Sequence, residues 1–134
     1  MADTVTTQTI QDGERTAVLK FTNVSDGSGE NAVKKVDVSA LATSSSGKAC
    51  TEVHIQRLYW ATVGMSVKLE FDATQNVLAI GLPADSTGDE YYDNFTAIPN
   101  NAGSGKTGDI LFTTTGHSSG DTYSIILEMI KKYD

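Results

Sequence analysis

Apolar and polar residues alternate along most of this chain, and the alternation is clearest in the run from Ser66 to Asp72. Val67, Leu69 and Phe71 share one parity, while Ser66, Lys68, Glu70 and Asp72 share the other. A period of two marks an extended strand with one dry face and one wet face. The polar stretch Asp72-Ala73-Thr74-Gln75-Asn76 then reads as a turn, and Val77 to Ile80 returns as a β-branched and aliphatic strand. This stretch sits at the centre of a longer run, Val53 to Leu82, that reads as three consecutive strands.

The same reading extends in both directions. Thr4 to Ile10 is Thr-rich and alternating, an edge strand or an arm, with residues 1–12 as the reach of that arm. Arg15 to Asn23 is a strand with Ala17, Leu19 and Phe21 pointing one way. Lys34 to Leu41 reads as another, with Val36 and Val38 apolar. In the next segment the phase slips: Val53 and Ile55 have one parity, Leu58 and Trp60 the other. A one-residue slip reverses every later side chain, so the pattern predicts a β-bulge near Gln56-Arg57 or a strand buried on both faces.

After Pro83, the acidic stretch ADSTGDEYYDN reads as a long loop, with Phe95 and Ile98 tucked back beneath it. Asp109 to Thr115 is a strand. Thr122 to Tyr133 places Tyr123, Ile125, Leu127 and Met129 on one face, with Ser124, Ile126, Glu128, Ile130 and Lys132 on the other. Good helix formers at Leu127, Glu128, Met129 and Lys131 make a helix the rival there, but the parity favours a strand. Clusters of Gly, Ser, Asn and Asp at 26–31, 43–48, 100–108 and 116–121 supply the turns. About eight or nine short strands at regular spacing predict an all-β fold, a jelly-roll or Greek-key sandwich, with 1–134 as one domain.

Composition narrows the function. Seventeen acidic residues against ten basic ones give a formal net charge of -7. That disfavours nucleic acid or an anionic membrane as a partner. No stretch approaches the roughly 20 apolar residues of a membrane span, and the N-terminus lacks the basic start and apolar run of a signal peptide. A lone cysteine, Cys50, cannot form an internal bridge and fits folding in a reducing cytosol. The glycosylation-like triplets at Asn23 and Asn94 carry no meaning without a secretory segment.

Candidate chemistry is thin. Gly105-Lys106-Thr107 resembles the end of a phosphate-binding loop, but Asn100 stands where the first glycine belongs and a strand follows in place of a helix. His54 and His117, the only histidines, lie on different elements, and no second ligand sits at metal spacing. Cys50 would need a base beside it to act as a nucleophile, and Ser44 to Ser46 and Ser118-Ser119 lack the small-residue elbow of an activated serine. Asp85, Asp89, Glu90 and Asp93 could meet a hard cation but lack the order of a calcium loop. No enzyme, cofactor or metal is therefore expected. Tyr91 and Tyr92 stand out as candidate interface residues, since each brings large contact area at low entropy cost, with burial against the protein's own core as the rival and slightly favoured reading. Arg57-Leu58-Tyr59-Trp60 carries hot-spot residue types, with Trp60 read as core.

A resemblance adds to this. The segments ADTVTTQTIQDGERTAVLKFTNVSDGSGE, RLYWATVGMSVKLEFDAT, IPNNAGSGKTGDILFTT and GHSSGDTYSIILEMIKKY look like small virion structural proteins of tailed bacteriophages. The likeness spans nearly the full length but carries no catalytic signature. It implies a capsid decoration (cement) protein made in the host cytoplasm and placed on the outer capsid surface. The implied partner is the major capsid protein, and the implied state is a homo-oligomer, a trimer favoured over a dimer. The arm, through Thr4 and Val5, could add a strand to a neighbouring sheet. The alternatives are a neck, tail or fibre component, or a carbohydrate-binding module using Trp60, Tyr91 and Tyr92.

Overall fold

Nine strands form two antiparallel sheets packed face to face in the computed structural model, which describes residues 3–92 and 97–133. In chain order they are β1 (Thr4–Asp12), β2 (Thr16–Val24), β3 (Val33–Val36), β4 (Cys50–Val63), β5 (Ser66–Phe71), β6 (Val77–Leu82), β7 (Thr87–Tyr91), β8 (Ile110–Thr115) and β9 (Thr122–Tyr133). One sheet runs β1-β2-β9-β4-β7 and the other β3-β8-β5-β6. Long crossovers put non-consecutive strands side by side, as in Greek-key connections. The all-β sandwich expected from the alternation is the fold observed.

The alternating residues make the core. Leu19 and Phe21 of β2, Leu69 and Phe71 of β5, Ile110 and Phe112 of β8, and Ile125, Leu127 and Met129 of β9 are all buried. Phe112 lies at its centre, edge-on to Phe21 at 5.1 Å and to Tyr123 at 5.8 Å between ring centroids. Such tilted aromatic pairs add about 1 kcal/mol each beyond area burial. β9 is a strand over its whole predicted length, which settles the rivalry with a helix.

The phase slip in β4 is a bulge. Ile55 stands opposite Met129 and Arg57 opposite Glu128, so Gln56 is the extra residue. Val53 and Ile55 point inward before it, and Leu58 points inward after it. Both apolar sets reach the core because one residue is left unpaired between them.

Two expectations need correction. Lys34 to Leu41 is not one strand: pairing stops at Val36, and residues 38–40 form a 3-10 turn. Asp37 caps that turn, its carboxylate accepting from the Ser39 N–H at 3.0 Å, so the local side-chain bond displaces the ladder. The acidic stretch after Pro83 is not all loop, since Thr87 to Tyr91 is β7. Glycine and acidic residues are poor strand formers, but the exposed edge of β4 supplies a backbone partner from Arg57 to Ala61. Gly88 also leaves room for the Trp60 ring, which a β-carbon there would meet at 2.2 Å. Ile98 does tuck back, bridging Ile55 through paired backbone bonds of 2.8 and 3.0 Å. Asp93, Asn94 and Phe95 lie outside the described residues.

Two polar clasps hold β1. At its start, Asp3 accepts from Asn23 Nδ2, the Asp26 and Gly29 N–H groups and the Ser28 hydroxyl. Burial pushes the Asp3 carboxyl up, but these bonds outweigh it and hold the group below the usual carboxylate range. Behind it Asn23 bonds Glu30, which also takes the Tyr123 hydroxyl at 2.7 Å and Lys35 Nζ at 2.5 Å. At the other end, the fully buried ammonium of Lys131 meets Asp12 Oδ1 at 2.7 Å and the carbonyls of Gly13 and Ala42 at 2.8 Å. Three acceptors for three N–H donors leave nothing unpaired on that cation.

Candidate functional site

The outward surface of the five-stranded sheet joins a groove to exposed aromatic and charged side chains, which makes it the candidate binding surface. The Gln56 bulge creates it. By reversing the parity of β4, the bulge sends Arg57, Tyr59, Ala61 and Val63 outward, beside Ile126 and Glu128 of β9 and Val18 of β2. Residues opposite one another share a face, so side chains line up in rows across the strands. One row reads Lys20, Ile126, Tyr59, Asp89; the next reads Val18, Glu128, Arg57, Tyr91.

Between these rows runs a groove of about 260 Å³, lined by Val18, Arg57, Tyr59, Asp89, Ile126 and Glu128. A second hollow of about 300 Å³ follows on the same sheet, at Arg15, Thr16, Gln56 and Ile130. Tyr59, Val63, Val24 and Tyr91 are exposed around this face. Arg57 grips Asp89 through two parallel bonds of 3.1 and 2.9 Å and lies over the Tyr91 ring at 5.8 Å. The Asp89 hydrogen bonds and charge raise the Arg57 pKa further, and Arg57 in turn lowers that of Asp89. The paired bonds orient the guanidinium toward Asp89.

The predicted interface residues fall on the two opposite edges of this sheet. Thr4 and Val5 open β1, whose residues are exposed from Thr4 to Gln11. Tyr91 ends β7, on the far side of β4, so it is a strand residue rather than a loop residue. Through the rows, Tyr91 lies level with Gln11, and Thr4 lies level with Val63. The two pairs therefore stand at diagonal corners and do not form one patch. Tyr92 follows β7, its N–H bonding the Gln56 carbonyl at 2.8 Å. Its ring is half-buried, and burial with the nearby Glu90 pushes its hydroxyl pKa up.

Trp60 faces the other way. It has the parity of Leu58, packs against the core, and donates its indole N–H to the Ser86 hydroxyl at 3.0 Å. Trp60 and Tyr91 thus lie on opposite faces of one sheet and cannot share a sugar between them. The bulge was legible in the sequence. The grouping of Tyr59 with Val18 and Ile126 was missed, because it needs the strand order.

Most of the remaining chemical candidates have structural partners. Lys106 bonds Glu52 at 2.8 Å, Thr107 bonds Asp72, and Gly105 packs on Thr74, so the GKT segment straps a loop to the β5–β6 turn and runs into β8. His54 Nε2 meets Glu52 at 2.8 Å, and His117 Nδ1 meets the Thr114 hydroxyl at 3.3 Å. The Cys50 thiol is buried, which pushes its pKa up, and it donates to the Glu52 carbonyl. Asp85 takes the Gly64 N–H at 2.7 Å. Among the described residues, no three His, Cys, Asp or Glu side chains gather as a metal would require, and no helix is long and apolar enough to cross a membrane.

No protein-family model matches this chain, and no curated protein matches its sequence.

Proposed function

We propose that this chain is a capsid decoration protein of a tailed bacteriophage, a non-enzymatic homo-oligomer that binds the major capsid protein on the outside of the head. The outward face of the five-stranded sheet is the observation that carries this reading. Exposed aromatic and branched side chains there surround a groove, with one arginine locked in place by Asp89. Tyrosine, arginine and a rigid backbone are the ingredients of protein-binding hot spots. The net charge of -7 favours solubility before assembly. The sequence resemblance supplies the partner.

The test is co-sedimentation of purified protein with expanded heads that lack it. Wild-type protein should pellet with the heads at a saturating ratio of hundreds of copies. Tyr59→Glu, which places a charge in the groove at an exposed position, should stay in the supernatant while keeping a wild-type circular dichroism spectrum. Saturation at a dozen copies or fewer would instead support the neck or tail reading. Equal pelleting of Tyr59→Glu would remove this face from the interface.

A further inference from the structure

Among the described residues the two sheets have four edges, and they differ in how they resist self-pairing. β3 is four residues long and carries the half-exposed Lys34, and β7 is five residues long and carries the exposed Asp89 and Glu90, so both offer a second copy only a short, charged edge. β6 carries no charge but is six residues long, and its pairing with β5 is interrupted between Leu78 and Ile80. β1 is the exception. From Thr4 to Gln11 it has no charge, proline or glycine, and six of its first seven residues are β-branched. Its one register shift lies between Thr9 and Gln11, which leaves Thr4 to Thr9 regular. Long, flat, uncharged edges of this kind are what natural sheets avoid unless something covers them.

β1 is also held in place without contributing to the core. Its residues from Thr4 to Gln11 are all exposed. Val5, Thr7 and Thr9 share a face with Leu19 and Phe21, yet they overhang the smaller sheet. The two acidic residues that bracket the strip are turned back into their own chain, Asp3 onto the Asp26 and Gly29 N–H groups and Asp12 onto Lys131. A strand that covers nothing but is fastened at both ends is an edge held ready for a partner. We infer that this partner is a second copy of the same chain, its β1 paired antiparallel with the first across a two-fold axis. The strip's self-complementarity argues for that occupant: Thr4 to Thr9 is regular, uncharged and mostly β-branched, so a two-fold copy sets threonine and valine against their own kind with no charge in the ladder. An isologous contact of this kind makes a dimer, in place of the trimer that the resemblance implies. Thr opposite Thr across the axis is a favourable cross-strand pair.

The test uses charge exchange. Wild-type chain should sediment as a dimer, and the double variant Thr6→Glu, Thr7→Glu should self-associate about tenfold more weakly or worse, because like charges then meet on both faces of the new ladder. The matching variant Thr6→Lys, Thr7→Lys should behave the same way alone. An equimolar mixture of the two should restore the dimer, a rescue that a merely structural disturbance of β1 would not give. Wild-type protein that stays monomeric up to about 1 mM would overturn the inference. So would an oligomer, trimer included, that ignores these substitutions, or a mixture without rescue. Head binding through Tyr59 is measured separately, so failure of the dimer leaves the shell reading standing, and the converse holds.

Discussion

β1 and β9 lie in the same sheet with only β2 between them, and both alternate, yet one buries almost nothing and the other anchors the core. On β9, Tyr123, Ile125, Leu127 and Met129 meet the smaller sheet and are fully covered. On β1, the equivalent positions Val5, Thr7 and Thr9 look past the end of that sheet into solvent. Five strands stacked on four must leave one overhanging. The difference in residue type agrees with the difference in cover: large aliphatic and aromatic side chains where there is an opposing surface, threonine where there is none. Alternation therefore reports an extended backbone, and residue size reports whether anything lies across from it.

The sharpest contrast should come from the centre. Phe112→Ala removes the ring that touches both Phe21 and Tyr123 and leaves a cavity under β9, at a cost of about 4 kcal/mol. A large drop in the urea midpoint with an unchanged slope would show it. A loss below about 1 kcal/mol would mean that the two sheets are not packed around this residue.

Next in size is the clasp at the end of β9 that also fastens β1. Lys131→Met keeps the length of the side chain but strands Asp12 and the Gly13 and Ala42 carbonyls, at about 3 kcal/mol near neutral pH. Burial raises the Asp12 pKa and the Lys131 bond more than reverses it, so the carboxyl titrates below its ordinary value. Burial lowers the Lys131 pKa, and the bond to Asp12 more than reverses that, so the ammonium titrates above its ordinary value. The lowered acid stabilises the fold above the unfolded pKa of about 3.9 and ceases to as pH falls through the folded value. The raised base stabilises it below about 10.4 and ceases to as pH rises through the folded value. The gap between wild type and Lys131→Met should hold steady from about pH 5 to pH 9 and narrow at both extremes, where the ion pair is lost but the two carbonyls still lack their donor in the variant. A gap independent of pH would exclude the ion pair as its source.

A smaller effect should appear on the other edge. Gly88→Ala sets a methyl group 2.2 Å from the Trp60 ring, and moving the indole off Ser86 should cost about 2 kcal/mol. Trp60 is the only tryptophan, so its emission should shift to the red. Unchanged emission would mean that the ring is not seated on β7.

The sequence displayed whatever depends on local spacing. The parity of Val67, Leu69 and Phe71 marked the core of β5, and the slip between Ile55 and Leu58 marked the bulge. Continuing the β9 parity past Met129 reaches Lys131, so its burial was also legible, although the identity of its partner was not. β7 stayed hidden because TGDEY is a strand only by virtue of the β4 edge and the room Gly88 gives to Trp60. The outward groove stayed hidden for a related reason. Val18, Tyr59 and Ile126 are far apart in the chain, and strand order alone makes them neighbours.

The smallest effect expected on stability belongs to β1. Thr7→Ala removes a branched side chain that touches no opposing sheet, so the isolated chain should lose no more than about 0.5 kcal/mol. Truncation to alanine one strand over, at the buried Phe21, would open the core. If β1 pairs with a second copy, that small cost should grow with protein concentration, because Thr7 then faces a partner and stability becomes coupled to assembly. Urea midpoints of wild type and Thr7→Ala should coincide in dilute solution and separate as concentration rises. A large, concentration-independent loss would show that something in the same chain covers Thr7 after all, and the distinction between the bare strand and the buried one would fall.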